Sequence, residues 1–386
     1  MKKLLTLALL SSALYAEGFE QFLNRAVQTS PLLKASNLRV EQSTHKGKIL
    51  TRYENPNLEV EASYFTPDTS NNAFGYRASY SQPVRLWGVG DAKNTLADAN
   101  MALSKADYVQ AKASFIYGLS LQYTDYALND LLMVLAKEEL TLASTIYSIS
   151  KERYEAGTIS RGVMLQAQVD FKMTEARIQS LALRRQRSYY MLLKKSGISE
   201  QVIIDPDYTF SLETSSGTNP QLLQLENQLK SAQASAELNS NDVEWMAINA
   251  EYEKEPDQDI YRLGAIIPLA FFKTKEQEQQ IAKLEATRSE MLRNNAQSKI
   301  IIELQRLDYE ASALRNLQRI DEDVLDGEQE LLGMYEDGYK IASINLLALQ
   351  DAKARLIETK ERLIRIKIEL DRNAITQNYL QGTYND

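Results

Sequence analysis

The chain has 386 residues, of which 44 are basic and 52 acidic, and it contains one histidine and no cysteine. The acidic balance argues against a nucleic-acid partner, and the lack of cysteine excludes a disulfide framework, a thiolate metal site and a lipid-anchored N-terminal cysteine. The single histidine, His45, lies in a polar stretch and is predicted to be a surface residue. We therefore expect no enzyme activity, no metal and no cofactor.

Residues 1–16 have the features of a secretory signal peptide. Lys2 and Lys3 form a charged start, residues 4–10 an apolar core, and residues 11–16 a plausible cleavage site. The apolar core is much shorter than the roughly 20 residues that a membrane-spanning helix needs. We expect the mature chain to begin near Glu17, which leaves 42 basic against 52 acidic residues and a net charge of −10.

After this segment the chain repeats itself. A stretch that begins at Tyr154 is similar to one that begins at Tyr339. Three further pairs repeat at this or a similar offset: Tyr76 and Tyr261, Pro83 and Pro268, and Pro31 and Pro220. Such self-similarity predicts two tandem copies of one structural unit. The resulting division is a signal peptide (1–16), a first repeat (17–198), a connector (199–218), a second repeat (219–378) and a C-terminal tail (379–386).

Each repeat is predicted to contain a β-hairpin, at about 57–83 and about 243–268. In the first hairpin Leu58 and Val60 alternate with Glu59 and Glu61, and a period of two indicates strands. The strands have about the 9–11 residues that cross a bilayer at a tilt. An amphipathic hairpin on a soluble protein is the alternative.

Long helices are predicted for most of the remaining sequence. No proline occurs between Pro83 and Pro206 or after Pro268. A heptad of leucines from Leu349 to Leu370 favours helices that pack side by side as coiled coils. The fold class is therefore mainly α with a small β part.

The strand alternation separates two sets of candidate functional residues. We expect the polar set to line a water-filled passage: Glu59, Glu61, Ser63, Arg77, Ser79 and Arg262. We expect aromatic residues to lie at two membrane interfaces, with Tyr64, Phe74, Tyr76, Tyr252 and Tyr261 at the hairpin tips and Trp87, Trp245 and Phe272 where strands meet helices. Open strand edges are not tolerated in lipid, so the hairpins must close with other copies of the chain. Two copies would give eight strands and three would give twelve, and only twelve would leave a lumen.

Tandem repeats of a hairpin and long helices, a Tyr-x-x-Gly turn at Tyr154 and a following Leu-x-Ala stretch resemble the TolC family of outer-membrane efflux proteins, over about Phe19 to Gln377. The resemblance implies a homotrimer in the outer membrane of a Gram-negative bacterium. Its twelve strands would form one β-barrel, continued by a periplasmic α-helical barrel. It also implies a passive exit channel of a tripartite efflux or type I secretion system. The implied partners are a periplasmic adaptor (membrane fusion) protein, an inner-membrane pump of the resistance-nodulation-division, major facilitator or ABC type, and outer-membrane lipid.

In that family the Tyr-x-x-Gly turns form the closed periplasmic tip. The matching or nearby positions here are Tyr154, Gly157, Arg161, Tyr339, Ala342 and Asp351. The sequence departs from the family pattern at Ile344, where the family has arginine, at Ala348, where it has the first of two aspartates, and at Ala342, where it has glycine. Arg161 is a candidate for supplying the missing charge, and simple packing at a helix end is the alternative role for both tyrosines.

A periplasmic coiled-coil adaptor or scaffold without a pore is the alternative function. Adaptors of pumps usually carry a compact lipoyl-like β-domain between their helical arms, and the sequence contains no glycine-rich β segment of that kind.

Overall fold

A computed structural model describes residues 17–66, 73–213 and 217–385. The predicted signal peptide (1–16) and the turn of the first hairpin (67–72) lie outside these residues. The described chain forms helices α1 Phe19–Thr29, α2 Pro31–Thr51, α3 Val89–Glu155, α4 Arg161–Ser196, α5 Pro220–Leu238, α6 Glu276–Lys340 and α7 Leu346–Leu380, strands β1 Asn57–Phe65, β2 Ala73–Arg85, β3 Trp245–Lys254 and β4 Asp259–Ile266, and a short 3₁₀ helix at Thr383–Asn385.

The element boundaries repeat with the offsets that the sequence predicts. Helix α3 ends one residue after Tyr154 and α6 ends one residue after Tyr339, so the two helix ends are separated by the same offset as the two tyrosines. The starts of α4 and α7 are separated by that offset as well. Helices α2 and α5 begin at Pro31 and Pro220. Proline suits this first helical position, because its missing N–H would have no partner within the helix.

The predicted long helices are confirmed. Helix α3 has 67 residues and α6 has 65. Neither contains proline, which would remove a backbone hydrogen bond from the helix interior. Among the described residues, no helix combines the length and the apolar character that crossing a membrane requires.

Both predicted hairpins are confirmed, and they join into one antiparallel sheet. The strand order is β1-β2-β3-β4, so the first hairpin pairs with the second through β2 and β3. Tyr80, for example, lies between Leu58 of β1 and Ala250 of β3. This order leaves β1 and β4 as the two edges of the sheet.

The described chain divides into two compact units, and each takes segments from both repeats. Unit 2 consists of residues 35–110 and 220–299 and contains the sheet. Its buried apolar residues Val89, Ala92 and Leu238 pack together beside the start of α3.

Unit 1 consists of the described residues of 17–34, 111–219 and 300–385. One of its cores contains Phe22, Leu119 and Tyr123, all fully buried. Another contains Leu349 and Leu356 of the predicted heptad, packed with Tyr339. The first two leucines of the heptad are therefore buried within this unit, whereas Leu363 and Leu370 are half-buried.

Within unit 1, the connector is attached to α3 and α7 by hydrogen bonds to its backbone. The Tyr123 hydroxyl donates to the Asp205 carbonyl oxygen over 2.8 Å, and the Phe210 N–H donates to Asp371 Oδ1 over 2.9 Å. The Glu213 N–H donates to Asn378 Oδ1 over 3.1 Å. These contacts satisfy backbone groups that a loop without secondary structure would otherwise leave unpaired.

Asp371 is a buried carboxyl group within this attachment. Burial raises its pKa to about 6, while the hydrogen bond from Phe210 and the charge of Lys367 oppose the shift. Lys367 itself pairs with Asp207 of the connector over 3.3 Å. Between the ordinary carboxyl pKa of about 4 and this raised value, the folded chain binds more protons than the unfolded chain. The contribution of Asp371 to stability is therefore present at low pH and lost as the pH rises through about 6.

Asp371→Asn should flatten this pH dependence, because the amide keeps an oxygen for the Phe210 N–H but carries no charge. Denaturant unfolding at pH 4.5 and pH 7.5 measures the change, which for this group is at most about 3 kcal/mol. Asp207→Asn is the matched control, because Asp207 is an exposed connector aspartate. Equal pH slopes for the wild type and Asp371→Asn would contradict the assignment.

Candidate functional site

One face of the sheet is apolar and exposed. The register places Val60 opposite Ala78, and Ala78 opposite Tyr252, so the apolar positions of neighbouring strands share a face. Val60 is 68% exposed and Leu263 is 84% exposed. A soluble protein rarely exposes a continuous surface of this kind, so the face indicates contact with lipid or with another apolar surface.

The predicted aromatic residues near the hairpin turns contact one another on this face. The ring centroids of Tyr64 and Phe74 are 4.8 Å apart. Tyr252 lies 5.9 Å from Tyr76 and 5.1 Å from Tyr261. The five rings therefore form two groups at one end of the sheet.

The three aromatic residues predicted for the other end have different environments. Trp87 is 92% exposed and Phe272 is fully exposed. Trp245 is half-buried, with the Arg85 guanidinium 5.1 Å from its ring centroid and the ring of Tyr53 6.0 Å away. Trp245 is thus part of the packing at the base of the sheet, whereas Trp87 and Phe272 are free to contact a surrounding medium.

The opposite face of the sheet carries the predicted lining residues Glu59, Glu61, Ser63, Arg77, Ser79 and Arg262, together with Glu251 and Glu253, which the prediction did not include. Arg77 pairs with Glu61 over 2.5 Å, and Arg262 pairs with Glu253 over 2.6 Å and with Glu251. In the register, each of two neighbouring rows across the sheet contains two glutamates and one arginine. The face is therefore polar, with a net negative charge.

The two helix turns of unit 1 have the same backbone structure. The Gly157 N–H donates to the Tyr154 carbonyl over 2.9 Å, and the Ala342 N–H donates to the Tyr339 carbonyl over 3.3 Å. The next residue in each turn donates to the carbonyl five residues earlier. This is the hydrogen-bond pattern of a Schellman motif, which places one residue in the left-handed region. Gly157 has φ +72° and Ala342 has φ +65°.

After each turn, the next helix begins with an N-cap residue, Ser160 for α4 and Asn345 for α7. The Ser160 Oγ accepts a hydrogen bond from the Val163 N–H, and the Asn345 side chain accepts one from the Ala348 N–H over 2.8 Å. Serine and asparagine are preferred here because their short side chains satisfy an N–H that has no partner within the helix. Arg161, the first residue of α4, is exposed.

Tyr339 and Tyr154 occupy equivalent positions but different environments. Tyr339 is 1% exposed, whereas Tyr154 is 39% exposed. The Tyr339 hydroxyl lies 2.8 Å from Ser150 Oγ, and Ser150 donates to the Ile146 carbonyl, so the tyrosine is the donor to the serine. Arg153 donates to the Tyr339 carbonyl over 2.7 Å, and its guanidinium lies 4.6 Å from the ring centroid. These contacts join the end of α6 to α3.

Sequence reasoning missed both partners of Tyr339. The guanidinium beside Tyr339 belongs to Arg153 and not to Arg161. Gly338 occupies the position equivalent to Arg153, and a Cβ there would lie 2.5 Å from Cγ1 of Ile344. Ile344 therefore packs over a glycine where the family pattern has arginine, and this pair of differences was a signal in the sequence.

Asp351 is exposed and pairs with Arg355 over 2.7 Å, one turn further along α7. It lines a groove of about 560 Å³ between α4 and α7. Beneath it, buried Lys353 pairs with Asp170 of α4 over 2.6 Å. Asp351 is thus placed to face solvent, but its charge is not isolated.

Comparison with known proteins gives a match to one family model and a fold. Residues 22–197 match the family model for outer membrane efflux proteins. The outer-membrane channel OprN is 14% identical, covers 95% of this chain and 90% of its own, and gives a TM-score of 0.76. The outer membrane protein VceC of Vibrio cholerae is 13% identical, with coverages of 94% and 95% and a TM-score of 0.76. The CmeC outer membrane channel of Campylobacter jejuni is 14% identical, with coverages of 94% and 85% and a TM-score of 0.73. No curated protein sequence matches the chain significantly. At this identity the solved structures establish the fold.

The two turns provide a matched pair of substitutions. Gly157→Ala places a Cβ in the left-handed region and should destabilise the fold by about 1 kcal/mol. Ala342→Gly removes the same strain and should stabilise the fold, by somewhat less because glycine loses more backbone entropy on folding. Denaturant unfolding measures both. A loss of stability in Ala342→Gly would show that the methyl group contributes packing that outweighs the strain.

Proposed function

Because residues 22–197 match the family model for outer membrane efflux proteins, we propose that the chain forms the outer-membrane channel of a tripartite efflux system. The family and the fold are those of an outer-membrane efflux channel and not of an enzyme family. They assign the protein to the outer membrane of a Gram-negative cell, with an extension into the periplasm. The matched structures are channels, and none favours the alternative of an adaptor without a pore.

The observation that carries the proposal is a sheet with one exposed apolar face and two open edges. In a bilayer, the unpaired N–H and C=O groups of an edge strand would each cost several kcal/mol. Pairing β4 of one copy with β1 of the next removes both edges. Three copies give twelve strands, enough to enclose a lumen, so we assign the chain to a homotrimer.

In this assembly the polar face of each sheet lines the passage. Each of two neighbouring rows has one more glutamate than arginine and therefore a net negative charge. In a trimer, three copies of each row would surround one axis. The lumen would therefore attract cations over anions. Outer-membrane lipid would contact the apolar face and its aromatic groups.

The turns of unit 1 would form the periplasmic tip. Tyr339, Ser150 and Arg153 join the α6–α7 hairpin to α3 in each chain. Opening the tip would require this hairpin to separate from α3, so we assign the Tyr339 contacts to the closed state. The same tip would include the turn residues Tyr154, Gly157, Arg161 and Ala342.

The partners would be a periplasmic adaptor and an inner-membrane pump, of the resistance-nodulation-division, major facilitator or ABC type. The channel would supply a passive route, with energy from the pump, and we assign it no catalytic role and no cofactor. In a type I secretion system, the channel would likewise be joined to an adaptor and an inner-membrane pump.

Two neighbouring residues test the membrane orientation of the sheet. Ala78→Arg places a charge on the lipid face, which costs about 2–4 kcal/mol per chain near the bilayer midplane. Ser79→Arg places the same charge in the lumen and should cost much less. The yield of trimer extracted from outer membranes measures both. Equal yields would contradict the assignment of the two faces.

The tip contact is tested by Tyr339→Phe, which removes the hydroxyl and keeps the ring. Loss of one buried hydrogen bond of about 1 kcal/mol in each chain should raise the ratio of open to closed channels about fivefold for each chain that must open. Single-channel recording in a planar bilayer measures this ratio, and Tyr154→Phe is the matched control. If both variants open as rarely as the wild type, the Tyr339 hydroxyl does not hold the closed state.

Asp351 and Arg355 form a second matched pair. Asp351→Asn leaves the three Arg355 charges in the tip and should shift selectivity toward anions, whereas Arg355→Gln should shift it toward cations. The zero-current potential across a salt gradient measures the shift. If neither variant changes that potential, Asp351 does not line the constriction.

A further inference from the structure

The face of α6 that carries Leu317 and Ile320 is exposed, although its counterpart on α3 is buried. Helices α3 and α6 end 185 residues apart, and α4 and α7 begin 185 residues apart, so residues at this separation are equivalent. Leu317 is 52% exposed, whereas its equivalent Leu132 is 7% exposed. Ile320 is 48% exposed, whereas its equivalent Leu135 is 4% exposed. Helix α3 therefore has a cover that α6 lacks.

Helix α7 supplies part of the cover of α3. Leu132 lies in one apolar cluster with Leu181 of α4 and Ile364 of α7. About two helical turns before Leu132, on the same face of α3, Asp125 pairs with Arg372 of α7 over 2.5 Å. Helix α3 thus packs against its hairpin partner α4 and against a further helix from the other repeat.

The two residues of that ion pair have charged equivalents on α6 and α4. Glu310 of α6 is equivalent to Asp125, and Arg187 of α4 is equivalent to Arg372. Arg187 is exposed and has no ion-pair partner among the described residues. Glu310 is partly exposed and pairs with Arg306 of its own helix over 2.8 Å, a kind of pair that contributes little to stability. Both members of a second ion pair are therefore present on accessible surfaces.

The two helices also carry opposite charge. Helix α4 contains eight basic and two acidic residues. Residues 321–337 of α6 contain eight acidic residues and no basic residue. Complementary charges steer two surfaces together and disfavour partners of the wrong charge. The basic helix of a second copy of this chain therefore fits the exposed face of α6.

We propose that α4 of one copy covers the exposed face of α6 of the next copy, and that Arg187 of the first pairs there with Glu310 of the second. This inference rests on the proposed trimer. The contact repeats between two chains the arrangement of α7 on α3 within one chain, including the antiparallel direction of the helices. Three such contacts join the helices of three copies into one ring, in addition to the strand pairing that closes the sheets.

A periplasmic adaptor is the other candidate for this face of α6. An adaptor that lay between the copies would keep Arg187 of one copy away from Glu310 of the next. A crosslink between these two positions therefore separates the two occupants.

The chain has no cysteine, so a pair of cysteines can be introduced at chosen positions. Arg187→Cys and Glu310→Cys are combined in one full-length chain, and outer membranes that contain it are treated with a short bismaleimide. The proposed contact gives covalent species that end at a trimer. Asp125→Cys with Arg372→Cys is the matched control, because the same reaction there joins two helices of one chain and leaves the monomer mass.

Charge reversal tests the ion pair itself. Arg187→Glu and Glu310→Arg each bring like charges together, and each lowers the ratio of trimer to monomer in detergent about fivefold. The double variant restores the wild-type ratio, because the pair is then reversed and not removed. This comparison needs no cysteine, so it also decides the question if the cysteine pair prevents assembly.

Amine-reactive crosslinking of the same membranes reports whether a trimer forms at all. If the wild type is trimeric but the cysteine pair gives only monomers, or if the double charge reversal restores nothing, the contact between α4 and α6 is overturned and the channel stands. Absence of a trimer in the wild type overturns both the contact and the proposed channel.

Discussion

The rest of the structure depends on the unsatisfied backbone groups along the outer sides of β1 and β4. A four-stranded sheet with an exposed apolar face is not a stable object by itself in water or in lipid, because its edges need partners and its apolar face needs cover. In the proposed trimer, closure with identical copies would meet the first need, and a bilayer would meet the second. The polar face would then contact only the enclosed passage, which would account for the ion pairs on that side of the strands.

The internal repetition explains how one chain supplies two hairpins and two helix turns. Both turns have the same backbone conformation: each contains one residue in the left-handed region, followed by a capping residue at the start of the next helix. The side chains have diverged around this shared backbone. The first turn has Arg153, whose guanidinium lies against the buried Tyr339 of the other turn. The second turn has Gly338 at the equivalent position, and Ile344 packs over it.

Local features of the sequence predicted most of the elements. Alternation located the hairpins, the proline-free stretches located α3 and α6, and the offset between repeats located the turns. Contacts between distant segments were not predicted in the same way. The pairing of β2 with β3 joins strands that are separated in sequence by α3, α4 and α5, and no local pattern encodes it. The same holds for the contact of Tyr339 with Ser150, because it depends on helix packing that only the folded chain defines. Glu251 and Glu253 of the second hairpin alternate with apolar residues in the sequence, so the same period of two could have predicted that they lie on the polar face.

The most direct test of the account is whether β1 of one copy lies beside β4 of another in the membrane. Glu61→Cys on β1 can be combined in turn with Ile260→Cys, Arg262→Cys and Gly264→Cys on β4, in a chain that has no other cysteine. Oxidation of the protein in outer membranes should produce covalent species that end at a trimer for the β4 position in register, and none for the single variants. The absence of crosslinks at every position, or a series of products that continues beyond three copies, would contradict a closed three-chain barrel.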